Sequence, residues 1–78
     1  MKYILDAQKM LTREDAHEYL QEILGLPEYY GRNLDALYDC LSDMEEIEFE
    51  IQNVTEDNLL LLRIVKVMKA AGAKVEIV

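Results

Sequence analysis

Three aspartates are spaced four residues apart near the middle of this 78-residue chain, at Asp35, Asp39 and Asp43. In a helix, a step of four residues rotates a side chain by only about 40°, so the three carboxylates would form one ridge on the helix surface. Carboxylates at this spacing repel each other by about 0.2–0.5 kcal/mol per pair in an isolated helix. We call these three residues the acidic ridge and expect Ser42 and Glu46 to continue it. The apolar stripe of the same helix lies on another face, so the ridge must face water or a partner. Guanidinium groups would suit such a partner, because they bind carboxylates through paired hydrogen bonds.

The ridge belongs to a longer acidic segment. Between Asn33 and Leu62 the chain has nine acidic residues and no Lys or Arg, whereas the remainder has seven acids and all eight bases. The net charge of the chain is −8. A local field of one sign attracts partners of the opposite sign and speeds their encounter, while it repels phosphate. The segment therefore favours a basic protein partner over direct binding of nucleic acid or of an anionic membrane, although an acidic face can also be merely solvated.

Enzymatic and metal-binding roles have little support in the sequence. Cys40 and His17 are the only residues of their types, and the neighbouring Asp39 would discourage a reactive thiolate at Cys40. We expect Cys40 to be a small, partly buried apolar residue and His17 to be solvated on the first helix. The carboxylates do not form a calcium-loop pattern, and a pair four residues apart is a weak ligand set. We therefore predict no enzyme, no metal site and no cofactor.

The apolar spacing predicts an α/β fold: a small three-stranded parallel sheet packed with three main helices, in the order β-α-α-β-α-β. The predicted strands are residues 3–5, 46–51 and 74–78, and the predicted helices are residues 13–24, a segment that follows Asn33 and a segment that follows Thr55. The connection between the last two strands should be right-handed, which makes them parallel neighbours. We expect one domain over residues 1–78, with the helices on one face of the sheet.

N-cap residues predict where the helices begin. Thr12 and Asn33 precede the first two helices, and their side-chain oxygens can accept a backbone N–H. Thr55 is the predicted N-cap of the third helix, which would place Glu56 and Asp57 in its first turn, where the helix dipole favours anions. Residues 59–71 are apolar on nearly all sides, so we expect this helix to be the most buried. The core stripes expected on the first two helices are Ala16, Tyr19, Leu20, Ile23 and Leu24, and then Leu34, Leu37, Leu41 and Met44.

The loop before the second helix, residues 26–32, carries two adjacent tyrosines. Pro27 excludes a helix there and Gly31 permits an unusual backbone conformation. Tyr29 and Tyr30, together with Tyr38, would flank the acidic ridge. Tyrosine is enriched at protein interfaces because it offers a large contact area with few rotamers. These neighbours favour a ridge that contacts a partner.

The loop and the second helix resemble the barstar family of intracellular ribonuclease inhibitors. The matching residues are Leu26-Pro27-Glu28-Tyr29-Tyr30-Gly31 and Asn33-Leu34-Asp35-Ala36-Leu37-Tyr38-Asp39-Cys40-Leu41. The likeness is weaker elsewhere and includes Ala70-Ala71-Gly72 near the end. The resemblance implies a barstar-like fold, a cytoplasmic location, and a monomer that forms a 1:1 complex with a basic, extracellular-type (barnase-like) ribonuclease. Inhibition would come from plugging the basic active-site cleft of the nuclease.

The resemblance also implies roles for individual residues. Asp39 would be the main mimic of an RNA phosphate, Asp35 would add a second charged contact, and Tyr29 would pack on a catalytic histidine of the nuclease. The predicted partner-binding residues are Tyr29, Tyr30, Asn33, Leu34, Asp35, Ala36, Tyr38, Asp39, Ser42, Met44 and Glu46. The chain departs from the family in several places. Asp43 and Met44 stand where the best-known member has a Gly-Trp pair. The segment before the last helix is shorter, and Val67 stands where the family supplies a further acidic contact.

Two other functions remain open on the sequence alone. The chain could be an acidic interaction module for a basic protein that is not a nuclease, since a fold does not fix a function. It could also be an immunity protein for a larger toxin that carries a nuclease domain. Failure to inhibit any ribonuclease, together with capture of another basic protein, would favour the interaction module.

Overall fold

A computed structural model describes residues 1–78 and shows three strands and three helices in the predicted order. The strands are β1 (Lys2–Asp6), β2 (Glu48–Gln52) and β3 (Lys74–Ile77), and the helices are α1 (Arg13–Leu24), α2 (Leu34–Ser42) and α3 (Leu59–Ala70). A short 3₁₀ turn at Ala7–Lys9 follows β1. The prediction of a compact α/β fold with this element order is confirmed. None of the helices has the length and apolar character that a membrane span requires.

The sheet has the order β1-β2-β3, and all its strands are parallel. Its register places Tyr3, Phe49 and Val75 side by side, and Leu5 beside Ile51 in the next row on the same face. Leu5, Phe49 and Ile51 are fully buried, because this face packs against the helices in one apolar cluster. The helical members of that cluster include Leu20, Leu24, Leu37, Leu41, Leu61, Ile64 and Met68.

The opposite face of the sheet carries charge. Lys2, Glu48 and Lys74 are aligned across the three strands and are exposed. Lys2 Nζ also lies 3.3 Å from Glu50 Oε1. The residues of β2 therefore alternate between a buried face and a charged face, as predicted, and the helices occupy one face of the sheet.

Local capping fixes α1 and α2 where the sequence predicts them. Thr12 Oγ1 accepts a hydrogen bond from the Asp15 backbone N–H at 3.1 Å, and α1 ends at Gly25, whose φ of 64° is left-handed. Glycine adopts that conformation without the steric cost that a Cβ would bring. Asn33 Oδ1 accepts from the Ala36 N–H at 2.7 Å and so caps α2.

The start of α3 corrects one prediction. Its N-cap is Asn58, whose Oδ1 accepts from the Leu61 N–H at 3.0 Å, rather than Thr55. The Asn58 N–H donates to the Thr55 carbonyl in a preceding turn, so Glu56 and Asp57 lie outside the helix. Both Thr and Asn cap helices well, and here the second of them caps α3. Burial of α3 is also one-sided, because Leu59 and Leu62 are 68% and 55% exposed.

The buried face of α1 differs from the predicted stripe. His17, which we expected to be solvated, is only 1% exposed, whereas Ile23 is 38% exposed. His17, Leu20 and Leu24 follow a 3-4 spacing, which is the period of one helix face. This face, together with Ala16, packs on the core, and the histidine is therefore a buried polar group that needs a partner.

Candidate partner-binding surface

The acidic ridge lies on the exposed side of α2. Asp35 and Asp39 are exposed, while Leu37 and Leu41 of the same helix are buried against the core. Asp43 follows the last helical residue with helical φ and ψ angles, so it continues the same line. The only ion pair in the structure joins Lys2 to Glu50. All three carboxylates of the ridge therefore lack a basic partner within the chain.

The three tyrosines near the ridge differ in exposure. Tyr29 is 87% exposed and Tyr38 is 43% exposed, so both present ring surface to solvent. Tyr30, which the sequence analysis placed in the partner-binding set, is only 5% exposed and belongs to the apolar core. Its ring therefore offers little surface for direct contact with a partner, and its place in the partner-binding set stays a prediction.

The loop that carries Tyr29 is tied to α1 by hydrogen bonds. Gln21 Nε2 donates to the Pro27 carbonyl at 2.9 Å, and Gln21 Oε1 accepts from two guanidinium nitrogens of Arg32 at 3.2 and 3.1 Å. Arg32 has a φ of 51°, a left-handed conformation that is uncommon outside glycine. These ties fix the loop on both sides of Tyr29, so binding costs less conformational entropy.

A buried pair of polar side chains completes the attachment. His17 Nδ1 lies 2.6 Å from the Tyr30 hydroxyl. Burial, followed by the charge of Cys40, raises the pKa of Tyr30 to about 12. Burial, followed by the charges of Arg13 and Arg32, lowers the pKa of His17. Both side chains are therefore neutral near pH 7, and we call His17, Gln21, Tyr30 and Arg32 the loop anchor.

The rest of the predicted set divides between the two ends of α2. Asn33, Leu34 and Ala36 are half-buried at its start, and Asn33 is held in place because it also donates to the Gly31 carbonyl at 3.3 Å. At the other end, the exposed Ser42 hydroxyl donates to the Tyr38 carbonyl at 2.7 Å, and Met44 is half-buried.

Glu46 corrects the expected extension of the ridge. The helix ends at Ser42, and Glu46 has a left-handed φ of 53°. Its carbonyl accepts a hydrogen bond from the N-terminal ammonium at 2.7 Å, which places its backbone next to the start of β1. Glu46 is exposed but does not lie on the helical line of the three aspartates.

The family model described as Barstar (barnase inhibitor) matches residues 1–76. The chain belongs to the barstar family. A protein of Bacillus subtilis (strain 168) named "Putative ribonuclease inhibitor YrdF" is 49% identical to it over 41 residues. That match covers 53% of this chain and 45% of the Bacillus protein, so the chain spans less than half the length of this relative. The barstar family is one of inhibitors and not of enzymes, in agreement with the sequence analysis.

The environment of the single cysteine fits a barstar-family protein without a nucleophile. Cys40 is half-buried and packs against the core, as predicted. Burial raises the pKa of its thiol, and the charges of Asp39 and Asp43 raise it further. Since the thiolate is the reactive form, these causes disfavour a reactive Cys40. The structure also shows no group of three or more His, Cys, Asp or Glu side chains with the geometry to hold a metal ion.

One feature of the surface was missed by sequence reasoning. A cavity of about 290 Å³ opens beside Asp35, where α1, the start of α2 and α3 meet. Arg13, His17 and Arg63 contribute to its wall. These residues come from distant parts of the chain, and the only local signal was that Arg63 interrupts the apolar run of residues 59–65.

Proposed function

We propose that this barstar-family chain inhibits a basic, barnase-like ribonuclease by occupying its active-site cleft with the Tyr29 loop and α2. The observation that carries the proposal is the acidic ridge itself. Three exposed carboxylates without internal partners lie along α2, which also carries the exposed Tyr38 and follows the loop of the exposed Tyr29, in a chain of the barnase-inhibitor family. A nuclease cleft that binds RNA phosphates carries the complementary charge and shape.

The chemistry of the contact follows from the similarity between a carboxylate and a phosphate oxygen pair. An arginine fork donates two parallel hydrogen bonds to either group. Asp39, in the middle of the ridge, would enter the cleft as the main phosphate mimic, and Asp35 would take a second cation near the start of α2. Neither carboxylate has to break an internal ion pair to do so.

The two exposed tyrosines would complete the contact. Tyr29 projects from a loop that is already fixed to α1, and Tyr38 lies on α2 one residue before Asp39. A large, rigid aromatic surface next to a desolvated charge pair is the arrangement that concentrates binding free energy at interfaces. The bulk of the negative charge, including Glu48, Glu56 and Asp57, would then steer the encounter without direct contact.

The same proposal includes the setting in which inhibition occurs. The chain would act as one domain over residues 1–78, as a monomer in a 1:1 complex, and in the cytoplasm, as the family resemblance implies. The nuclease would be a secreted enzyme restrained before export or the nuclease domain of a larger toxin. In the second case, the chain would act as an immunity protein or antitoxin.

Two double variants test the proposal beside the unchanged chain: Asp35→Ala/Asp39→Ala and Glu56→Ala/Asp57→Ala. Each protein is titrated into basic ribonucleases, and RNA cleavage is measured. The two variants lose the same charge, but only the first loses the ridge. We expect the chain and the second variant to inhibit, and the first to need at least about 100-fold more protein, because two central charge contacts are lost. Inhibition of no ribonuclease, or equal inhibition by both variants, would contradict the proposal.

A further inference from the structure

The cavity beside Asp35 adjoins the proposed binding surface and has a different charge. It lies between Arg13 and His17 of α1, residues 33–35 at the start of α2, and Leu60 and Arg63 of α3. Its volume of about 290 Å³ is large enough for a side chain. It is thus a basic recess at the edge of an acidic surface.

The two arginines of the cavity have no partner in the chain. The only ion pair joins Lys2 to Glu50, so no carboxylate oxygen lies within 4.0 Å of either guanidinium group. Neither Arg13 nor Arg63 donates a side-chain hydrogen bond, in contrast to Arg32, which is held by Gln21. In a chain with sixteen acids and eight bases, these two cations line one recess with a single acid, Asp35, which forms an ion pair with neither of them.

His17 adds a donor to the same cavity. The Tyr30 hydroxyl has no acceptor other than His17 Nδ1, so the hydroxyl donates to Nδ1 and the ring proton lies on Nε2. Among side-chain nitrogens and oxygens sealed from solvent, only Asn58 Nδ2 lacks a partner. Nε2 has no partner in the chain and is not sealed, and because His17 lines the cavity we infer that Nε2 faces it. An N–H donor on an almost fully buried ring thus points to an acceptor from outside.

Asp35 restricts what that acceptor can be. Its carboxylate lines the same cavity and would repel a free anion. A protein surface that presents a cation to Asp35 and a carboxylate to the arginines satisfies both groups at once. Such alternating charges fix the register of an interface and exclude partners with other patterns.

We propose that Arg13, Arg63 and His17 Nε2 receive an acidic side chain of the cognate ribonuclease, located next to the basic groups that meet the ridge. This inference rests on the proposed function and adds a feature of the partner. The nuclease would carry an Asp or Glu at the rim of its basic cleft. Nucleases that lack such an acid would be inhibited less well by this chain.

The inference is tested by whether removing the two arginine charges weakens or strengthens binding. Arg13→Gln/Arg63→Gln makes the net charge of the chain more negative by two, and so does the control Lys69→Gln/Lys74→Gln, whose lysines are exposed and do not line the cavity. If charge acts only through steering, both variants should associate faster and bind at least as tightly. We expect the arginine variant instead to bind at least about tenfold more weakly, through faster dissociation, and the lysine variant to keep its affinity.

Double-mutant cycles then identify the acid. Each Asp and Glu at the rim of the nuclease cleft is changed to Asn or Gln and combined with Arg63→Gln, and one of them should show coupling of about fivefold or more. Unchanged affinity in the arginine variant, or coupling to none of the acids, would overturn this inference while inhibition by the unchanged chain still supported the proposed function. Failure of the unchanged chain to bind any ribonuclease would overturn both.

Discussion

The acidic ridge lies on α2, and the loop anchor joins α1 to the loop that precedes α2. The two regions differ in how their polar groups are paired. On the ridge, no carboxylate has a basic partner within the chain. In the loop anchor, His17 binds Tyr30, and Gln21 binds both Arg32 and the Pro27 carbonyl. Under the proposed function, the unpaired carboxylates serve recognition and the paired groups of the anchor serve stability. We therefore expect substitutions on the ridge to change binding, and substitutions in the anchor to destabilise the loop.

Adjacent tyrosines allow the sharpest test of this separation, and the largest effect is expected on the buried side. Tyr30→Ala should lower the free energy of unfolding by about 3 kcal/mol or more, because it removes a buried ring and its bond to His17. Tyr30→Phe should lose only about 1 kcal/mol, since it keeps the ring. Urea unfolding followed by circular dichroism measures both. A stable Tyr30→Ala variant would show that the anchor does not support the fold.

Tyr29→Ala should have the opposite pattern. Its side chain is 87% exposed, so the free energy of unfolding should stay within about 0.5 kcal/mol of the unchanged chain. Binding to the ribonuclease should weaken by about 2 kcal/mol, as expected for an aromatic residue at the centre of an interface. Calorimetric titration measures the free energy of binding. Unchanged affinity would remove the Tyr29 loop from the contact.

Near neutral pH, the pH dependence of stability should report on His17 of the loop anchor. Because burial lowers the pKa of His17 in the folded chain, the unfolded chain binds the proton first as the pH falls. Stability should therefore be complete above about pH 6.5, the ordinary value for histidine, and should decrease as the pH falls from there towards the lowered pKa. Asp6 and Glu50 also have lowered pKa values, but carboxylates lose their contribution only at more acidic pH.

Replacing the histidine should remove that dependence. His17→Asn should lose about 1–3 kcal/mol at pH 7 through the broken hydrogen bond, and its urea midpoint should change little between pH 7 and pH 5.5. The midpoint of the unchanged chain should fall over the same range. A pH dependence that survives the substitution would assign the titration to another group.

The same contrast between local and distant interactions explains what the sequence could predict. The α1 boundaries, the Asn33 cap and the buried face of β2 follow from caps and periodicity over a few residues, and the structure confirms them. The prediction of where α3 starts was wrong because Thr55 and Asn58 are both suitable caps. The burial of Asn58, which distinguishes the two, is a tertiary effect.

The loop anchor and the basic cavity depend on contacts between elements. His17 and Tyr30 are 13 residues apart and meet only because α1 and the loop pack together, so each residue alone suggested the wrong environment. Arg13 and Arg63 meet at the cavity through the packing of α1 and α3 around the start of α2. No local pattern marks such pairs, although a histidine at core spacing is a warning that it needs a buried partner.

We propose that Asp39, the middle carboxylate of the acidic ridge, contributes most to the binding of a ribonuclease. The most direct test is the dissociation constant of Asp39→Ala for the cognate ribonuclease, measured beside Glu56→Ala, which removes one exposed acid outside the ridge. We predict a loss of at least about 2 kcal/mol for Asp39→Ala and less than about 0.5 kcal/mol for Glu56→Ala. A loss under about 1 kcal/mol for Asp39→Ala, the level of an ordinary contact at the rim of an interface, would contradict the claim.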